Sequence, residues 1–204
     1  MLLAIDTSTG TSVAVADRSG VRAVRTSADT RGHAEVIGTF IRDTLAEAGV
    51  TPAELEGVAV GMGPGPFTGL RVGIAAARSF ALGISVPVLP LVSHDAVAFG
   101  HADAVLVVTD ARRREVAWSA YAAAASGGLP VRAAGPALAP ANELPAAVTD
   151  YDGYRRIDAA TIDAGALARL ALAMRDAGAE FAAPAPVYLR APDVTLSTPK
   201  KVTP

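Results

Sequence analysis

The hydrophobic and polar positions of the first hundred residues divide into strand-like and helix-like segments. Apolar or alternating runs at Leu2–Asp6, Ser12–Asp17 and Val21–Arg25 are separated by glycine-containing polar turns, which predicts three antiparallel strands. Apolar residues then recur every three or four positions over His33–Ala48, which predicts an amphipathic helix ended by Gly49. The pattern continues with a strand, a helix stopped at Gly83, a strand and a short helix, predicted at Gly57–Met62, Thr68–Leu82, Val86–Leu91 and Ser93–Phe99.

A similar pattern begins again after Gly100. Asp110 follows an apolar run as Asp6 does, and in both places a turn and an alternating strand come next. We interpret the chain as two copies of one α/β unit with mixed sheets, residues 1–100 and 101–192, followed by a flexible tail at 193–204. The alternative is that one strand-turn-strand segment simply resembles another. The predicted elements of the second unit are strands at Ala104–Thr109, Glu115–Ala124, Val131–Leu138 and Tyr154–Asp158, and helices near Pro140–Val148 and Asp163–Ala177.

Composition and charge exclude several classes of protein. Hydrophobic residues make up 51% of the 204 residues, which is enough for a buried core and excludes an intrinsically disordered chain. The net charge of −2 makes the chain no obvious binder of polyanions. The absence of cysteine excludes disulfides and thiolate metal sites and fits a reducing compartment. With no signal-peptide pattern and no long apolar run, we expect a cytoplasmic protein.

The turn after the first strand is a candidate nucleotide site. Asp6 stands at the end of the strand, and the turn that follows contains Thr7, Ser8, Thr9 and Gly10. Backbone N–H groups of such a turn can face a phosphate, and the carboxylate can hold a Mg²⁺-bound water. The alternative is an ordinary hydrogen-bonded turn, which short motifs of this kind more often are.

The corresponding turn of the second unit differs in chemistry. It contains Arg112, Arg113 and Arg114 and no glycine, whereas a backbone cradle for phosphate needs glycine for close approach. This argues against a working nucleotide cleft. We expect a solvated turn, and the alternative is that the arginine side chains neutralise an anion.

A stretch rich in glycine and proline, Gly63–Gly73, precedes and enters the second predicted helix. It lacks the Gly-Lys-Ser/Thr of a phosphate-binding P-loop and the glycine spacing of a dinucleotide fingerprint. Thr68 is a suitable N-cap residue, but Pro64 and Pro66 have no N–H to donate. The stretch is therefore expected to shape the structure more than to bind phosphate.

The helix Thr68–Leu82 has an apolar arc wider than one sheet can cover, and His33–Ala48 also has a wide apolar side. Gly69, Gly73 and Ala76 would form a small-residue face that lets another helix approach closely. The alternative is that the helix His33–Ala48 of the same chain covers this face. We expect an association surface, with the interface residues Val36, Phe40, Gly69, Val72, Gly73, Ala76 and Phe80.

The histidines do not form a recognisable catalytic or metal site. His33, at the start of a helix, is expected to be a surface or capping residue. His94 would need a histidine one helical turn later to form a metal-binding pair, and that position is Ala98. No Ser-His-Asp arrangement or paired carboxylates stand out, so we expect no catalytic residue and no metal site.

Several segments, in this order, resemble the TsaB (YeaZ) family: Leu3–Ser8, Gly63–Gly73, Asp110–Arg112 with Glu115-Val116, and Tyr188–Arg190. The resemblance implies a two-lobed actin-like ATPase fold, also called ASKHA or ribonuclease H-like. That family usually has serine where this chain has Pro66, so the loop here lacks one hydroxyl and one N–H.

The resemblance also implies a function. Members of this family are non-catalytic partners of the related subunit TsaD, together with the ATPase TsaE, in forming threonylcarbamoyladenosine at position 37 of tRNA. The implied properties are a homodimer in isolation, indirect contact with tRNA, no cofactor in the isolated chain, and ATP or ADP at the level of the complex. The catalytic relative has a His-xxx-His metal pair in the segment matching His94–Ala98. The alternatives are an ATP-dependent small-molecule kinase of the same fold and a metallopeptidase.

Overall fold

The computed structural model describes residues 1–124 and 128–190, which form strands, five α-helices and short 3₁₀ turns at Pro52–Glu54 and Tyr151–Gly153. The strands are β1 (Leu2–Asp6), β2 (Thr11–Asp17), β3 (Gly20–Ser27), β4 (Val58–Gly61), β5 (Val88–Leu91), β6 (Val105–Asp110), β7 (Glu115–Tyr121), β8 (Arg132–Pro140) and β9 (Arg155–Asp158). The helices are α1 (His33–Ala48), α2 (Phe67–Ile84), α3 (Ser93–Ala98), α4 (Leu144–Ala147) and α5 (Ala164–Asp176).

The strands form two mixed sheets with the same plan. Their orders are β3-β2-β1-β4-β5 and β8-β7-β6-β9 within the described residues. In the first sheet β1 runs antiparallel to β2 and parallel to β4; in the second β6 runs antiparallel to β7 and parallel to β9. The predicted duplication of a mixed-sheet α/β unit is therefore confirmed. We call the parts built on these sheets the first and second lobes.

Most predicted elements are present, with corrections at helix ends. Thr68 is not the cap of α2: the extended residue before the helix is Pro66, whose fixed φ and missing N–H suit that place. Gly83 does not stop α2: the helix continues to Ile84, and Ser85 takes the left-handed conformation that ends it. The helix predicted near Pro140–Val148 is shortened to a single turn, α4.

Helices cover both faces of the first sheet because its central strands are apolar on both sides. Leu3 and Ile5 point towards α1 and α2, while Leu2 and Ala4 point towards α3 and α5. Helix α5 follows the second sheet in sequence but packs on the first one. The predicted boundary at residue 100 stays a prediction, and the tail at 193–204 and Gly127 lie outside the described residues.

The second sheet carries a smaller core. Leu106 and Val108 pack with Trp118 and α4 on one side, whereas Val105 and Val107 face the end of α3 on the other. Helix α3 thus lies between the two sheets and contacts both.

Helix α2 is long and apolar enough, by length and composition, to cross a membrane. One side of the helix is buried on the first sheet through Leu70, Ile74, Ala77 and Ala81. Arg78, on another side, donates from Nη2 to the carbonyl oxygen of Pro184 at 2.5 Å. Packing within the folded chain therefore covers one side of α2.

Candidate functional site

The carboxylate of Asp6 is enclosed by the chain. Its side chain accepts hydrogen bonds from the N–H and hydroxyl of Ser8 at 2.8 and 2.5 Å and from the Ser93 hydroxyl at 2.5 Å, and the residue is 1% exposed. Burial raises the pKa of Asp6, against the lowering effect of these donors. A Cβ on Gly61 would lie 1.8 Å from Asp6 Oδ2, so only glycine fits there. The predicted role of Asp6 in holding a Mg²⁺-bound water finds no support in this geometry.

The rest of the predicted nucleotide turn is also used internally. The Thr7 hydroxyl donates to the carbonyl oxygen of Gly69 at 2.8 Å and accepts from the N–H of Gly73 at 3.1 Å. Ser8 lies under the glycine-rich loop, where a Cβ on Gly65 would meet the Ser8 carbonyl oxygen at 2.5 Å. Thr9 Oγ1 is buried with no hydrogen-bond partner in the described part of the chain. The loop therefore shapes this region by close packing, as predicted.

The prediction that Gly69 and Gly73 form an exposed face of α2 is wrong. Both glycines are buried, and a Cβ on Gly73 would lie 2.2 Å from Thr7 Oγ1. A Cβ on Gly69 would lie 2.9 Å from the Thr7 carbonyl oxygen and 3.0 Å from Nε2 of His33. The small residues let α2 approach the turn after β1 and the start of α1, so they serve the chain's own packing.

His33 is a buried residue, not the surface or capping residue expected from its position. Its Nδ1 lies 2.9 Å from the hydroxyl of Thr11, and desolvation lowers its pKa. It fixes the start of α1 to β2. No local pattern in the sequence pointed to this contact, because the partner lies 22 residues away.

His94 joins α3 to the second sheet. Its Nδ1 lies 2.9 Å from the Ser119 hydroxyl and its Nε2 2.9 Å from the Thr109 hydroxyl, and burial lowers its pKa to about 3. The residue is fully buried and neutral. Both ring nitrogens are occupied by hydroxyls, so neither is offered to a metal ion.

Asp95, beside His94, makes a second connection between α3 and the second sheet. Arg132 Nη2 lies 2.6 Å from each carboxylate oxygen, and the Tyr121 hydroxyl donates to Oδ1 at 2.6 Å. Burial raises the pKa of the Tyr121 hydroxyl, so it remains a donor. The two lobes are therefore linked by the buried His94 and the partly buried Asp95, which are adjacent residues of one short helix.

A cleft of about 320 Å³ opens between the lobes. The first lobe contributes Pro64–Phe67, the second contributes Thr109–Arg113 with Ala117 and Leu138, and the C-terminal segment contributes Tyr188–Arg190. The expected solvated turn at Arg112 and Arg113 therefore borders a concave surface. The sequence patterns did not predict that these three segments lie together, since they are distant along the chain.

The C-terminal segment is attached to the first lobe as an extended strap. The N–H of Val187 donates to the carbonyl oxygen of Met62 at 2.7 Å, and the rings of Tyr188 and Phe67 have their centroids 4.5 Å apart. The Arg71 guanidinium lies 3.7 Å above the Phe67 ring. Arg190 pairs with Glu115 of the second lobe, so the strap contacts both lobes.

Part of the predicted interface set remains accessible. Five apolar side chains of α1 and α2 are only partly buried, and four of them, all except Val36, pack against the first core. We call them the α1–α2 face: Val36, Phe40, Val72, Ala76 and Phe80.

The two sheets share one order of antiparallel and parallel strands, with five strands in the first and four in the second within the described residues. This plan and the helix arrangement define the class, a two-lobed fold of the actin-like ATPase type. The chain belongs to the TsaD family, described as tRNA N6-adenosine threonylcarbamoyltransferase, whose model matches residues 24–144, more than half of the chain.

Similar proteins include members with a TsaB or YeaZ name. The chain is 37% identical to TsaB of Haemophilus influenzae over 124 residues, 58% of this chain and 52% of the relative. It is 33% identical to TsaB of Escherichia coli over 125 residues, 59% and 54% of the two chains. An uncharacterized protein of Mycobacterium tuberculosis is 44% identical over 123 residues, which are 59% of this chain and 58% of the relative. The matched segment thus spans little more than half the length of these relatives.

Likeness to a solved structure extends over nearly the whole chain. YeaZ from Pseudomonas aeruginosa superposes with a TM-score of 0.72 and 26% identity, covering 92% of this chain and 99% of the other. The fold predicted from the family resemblance is confirmed.

Proposed function

We propose that this protein is the non-catalytic partner subunit of a tRNA threonylcarbamoyltransferase complex and docks through the α1–α2 face onto a catalytic TsaD-type subunit. The observation that carries the proposal is the α1–α2 face: its apolar side chains are only partly buried, and all of them except Val36 are continuous with the first core. Such surplus apolar surface is typical of association sites. The resemblance to TsaB proteins, whose name includes tRNA threonylcarbamoyladenosine biosynthesis, supports the choice of complex.

The interior of the first lobe supports an accessory role. The carboxylate of Asp6 is enclosed by three hydrogen bonds, and both ring nitrogens of His94 contact hydroxyls. Ala98 stands where a second histidine would be needed one helical turn later. These groups hold the fold together, and the chemistry is assigned to the partner.

The shared family supports the mode of docking. A partner with the same fold carries helices equivalent to α1 and α2, so two such pairs can pack together through matching apolar faces. The same face gives a homodimer when the catalytic partner is absent. A stable interface covers about 800 Å² on each partner, so polar neighbours of the α1–α2 face are covered as well.

The same proposal includes the other members of the complex and its nucleotide. A TsaE-type ATPase joins the pair, and ATP or ADP acts at the level of the complex. Contact with tRNA comes mainly from the partners, because this chain has a net charge of −2. The assembly is placed in the cytoplasm.

Two neighbouring alanines of α2 test the docking surface. Ala76 belongs to the α1–α2 face, whereas Ala75 is exposed on another side of the same helix. Replacing Ala76 by Asp places a charge in the docked apolar surface and is expected to weaken association with the TsaD-type subunit at least about tenfold. Ala75→Asp is the matched control and is expected to associate normally. Binding is measured by calorimetry, with thermal melting to verify that both variants fold.

Reconstitution tests the function itself. The chain is mixed with the TsaD-type and TsaE-type proteins of its own organism, and tRNA modification is measured with each component omitted in turn. Modification is expected to require all three proteins, and Ala76→Asp is expected to reduce it. Normal modification without this chain contradicts the proposal. Gly73, by contrast, is unsuitable as an interface probe because it packs on Thr7.

No observation favours the kinase alternative. The enclosure of Asp6 removes the carboxylate on which it depends. Binding of ATP·Mg²⁺ by the isolated chain, with loss in Asp6→Asn, is the result that would restore it.

A further inference from the structure

A second concave surface lies beside α5, between that helix and the turn that joins β2 to β3. Its volume is about 500 Å³, and it has no residue in common with the cleft between the lobes. We call it the α5 groove, and its walls are Asp17–Val21, Phe99, Arg169, Leu172, Ala173 and Asp176. The four residues from α5 are spaced three or four positions apart and so share one side of the helix.

The α5 groove has apolar walls from three separate elements. Val21, on β3, is 41% exposed, which is a large fraction for an apolar side chain of this size. Phe99, directly after α3, is partly buried, and Leu172 is 5% exposed and belongs to the core beside the first sheet. A ligand that places an apolar group against these side chains removes apolar surface from water, which favours binding.

The two acidic side chains of the α5 groove already have cationic partners. Asp176 accepts hydrogen bonds from Arg18 Nε and Nη2 at 3.1 and 2.7 Å. Asp17 Oδ2 lies 3.4 Å from Nε of Arg22. Both carboxylates are therefore paired with arginines other than Arg169.

Arg169 has no such partner. Its neighbours Ala168 and Leu170 are buried, whereas the arginine itself is exposed. Its guanidinium lies 5.8 Å from the centroid of the Phe99 ring, and it makes no hydrogen bond or ion pair within residues 1–124 and 128–190. A guanidinium can donate two parallel hydrogen bonds to one carboxylate. Charge complementarity thus favours a ligand with a carboxylate next to an apolar group.

We propose that the α5 groove docks an acidic peptide segment of a partner protein, with a glutamate or aspartate side chain on Arg169 and a neighbouring apolar side chain against Val21 and Phe99. The side chains of Arg18 and Asp176 at the groove are 64% and 48% exposed, so the rim is open to solvent. A peptide can keep its backbone hydrated at such a polar rim while it inserts side chains.

The α5 groove and the α1–α2 face are separate surfaces. They share no residue, and α5 packs on the face of the first sheet opposite to α1 and α2. The inference therefore does not depend on the proposed function, and both surfaces can be occupied at once.

The experiment uses three hexapeptides with blocked ends. One alternates leucine and glutamate; the second alternates leucine and lysine, which reverses the charge; the third alternates serine and glutamate, which removes the apolar side chains. Each is titrated into the isotope-labelled full chain, and amide NMR shifts are followed for residues 17–21, 99 and 169–176. We expect saturable shifts with the leucine–glutamate peptide that weaken as salt is added. Binding of the other two peptides is expected to be at least tenfold weaker.

Two substitutions test the walls of the α5 groove. Arg169→Gln removes the guanidinium and is expected to weaken binding of the leucine–glutamate peptide at least tenfold. The matched control is Arg42→Gln on α1, which removes the same charge from a side chain that is 73% exposed and outside the groove, and is expected to bind normally. Val21→Asp replaces an apolar wall by a carboxylate and is expected to weaken binding independently of Arg169. Melting temperatures verify that all three variants fold.

Three results would overturn the proposal. One is the absence of shifts in the α5 groove with the leucine–glutamate peptide; a second is equal binding of either control peptide. The third is undiminished binding in Arg169→Gln, or a loss of the same size in Arg42→Gln, which would assign the effect to the overall charge of the chain.

Discussion

Thr7, in the turn directly after β1, restricts which residues fit in the first half of α2. Its hydroxyl bonds to the backbone of Gly69 and Gly73, and the closest of these approaches leaves no room for a Cβ. A Cβ added to Gly83, on the same helix, would meet nothing within 4 Å. A side chain is therefore excluded at Gly73 but can be accommodated at Gly83, on the same helix.

Gly73→Ala is expected to destabilise the fold by about 1–3 kcal/mol, because the added methyl group would meet Thr7 Oγ1. Gly83→Ala is the control and is expected to stabilise it by about 0.5–1 kcal/mol through helix propensity. Both values are measured by chemical denaturation. A Gly73→Ala variant as stable as Gly83→Ala would show that the chain relaxes around the methyl group.

The buried histidine on α3 predicts a pH dependence. The pKa of His94 is about 3 in the folded chain and about 6.5 when unfolded, so below pH 6.5 the unfolded state binds the proton and the folded state does not. Its contribution to stability is present above pH 6.5 and is lost as the pH falls towards 3. Between pH 7 and pH 4.5 the loss is about 2–3 kcal/mol.

His94→Gln removes this titration. The free energy of unfolding of the wild type is expected to fall more steeply between pH 7 and pH 4.5 than that of the variant, as measured by urea denaturation at each pH. Asp6 and His33 are present in both proteins, so their own titrations cancel in the comparison. Parallel pH profiles would contradict the buried neutral state of His94.

At the scale of elements, α3 has only six residues but connects the two lobes. A helix of this length is not stable by itself, so its position depends on its contacts. Its anchors are His94 and Asp95, which bind different groups of the second sheet. In sequence the helix is part of the first unit, but in the folded chain it lies at the boundary between the two lobes.

Arg132→Ala tests the second anchor. The Asp95–Arg132 side chains are only 22% and 27% exposed, so loss of the guanidinium leaves a carboxylate partly buried and is expected to cost about 2 kcal/mol. Arg18→Ala, which breaks the exposed pair with Asp176, is expected to cost less than about 1 kcal/mol. Thermal denaturation compares the two. Equal effects would mean that the ion pair on α3 behaves as a surface pair.

At the scale of the whole molecule, α5 links the two halves of the chain, because it follows the second sheet in sequence and packs on the first sheet. Its buried residues, including Leu167, pack on the face of the first sheet opposite to α1 and α2. In the first unit this sheet face is therefore covered only in part, by α3, until α5 has been made. The two lobes are expected to unfold together.

Leu167→Ala tests this coupling. The cavity left in the core beside the first sheet is expected to cost about 3 kcal/mol. Trp118, the single tryptophan, lies in the core of the second lobe and reports on that lobe by fluorescence. The urea midpoint of Trp118 should fall with Leu167→Ala and remain unchanged with Leu82→Ala, whose side chain is 82% exposed. An unchanged Trp118 midpoint in Leu167→Ala would show independent lobes.

Much of the fold follows from local patterns. The bounds of β1 and α1 agree with the apolar periodicity, and the repeated strand-turn-strand order predicted two sheets of one plan. The ends of helices were harder to predict from the sequence, since α2 continues through Gly83 and ends at Ser85. The candidate site was predicted less well. An apolar arc shows that a face must be covered but does not show whether this chain or another one covers it.

The sequence by itself therefore determined the elements, their order and the duplicated plan, because side-chain periodicity and turn residues act over a few positions. Only the tertiary structure decided that Gly69 and Gly73 pack on Thr7, that His94 is an internal link, and that Arg112 and Arg113 border a cleft with the strap. These contacts join residues that are distant along the chain. Local sequence patterns are compatible with many other pairings of the same residues, and only packing in three dimensions selects these.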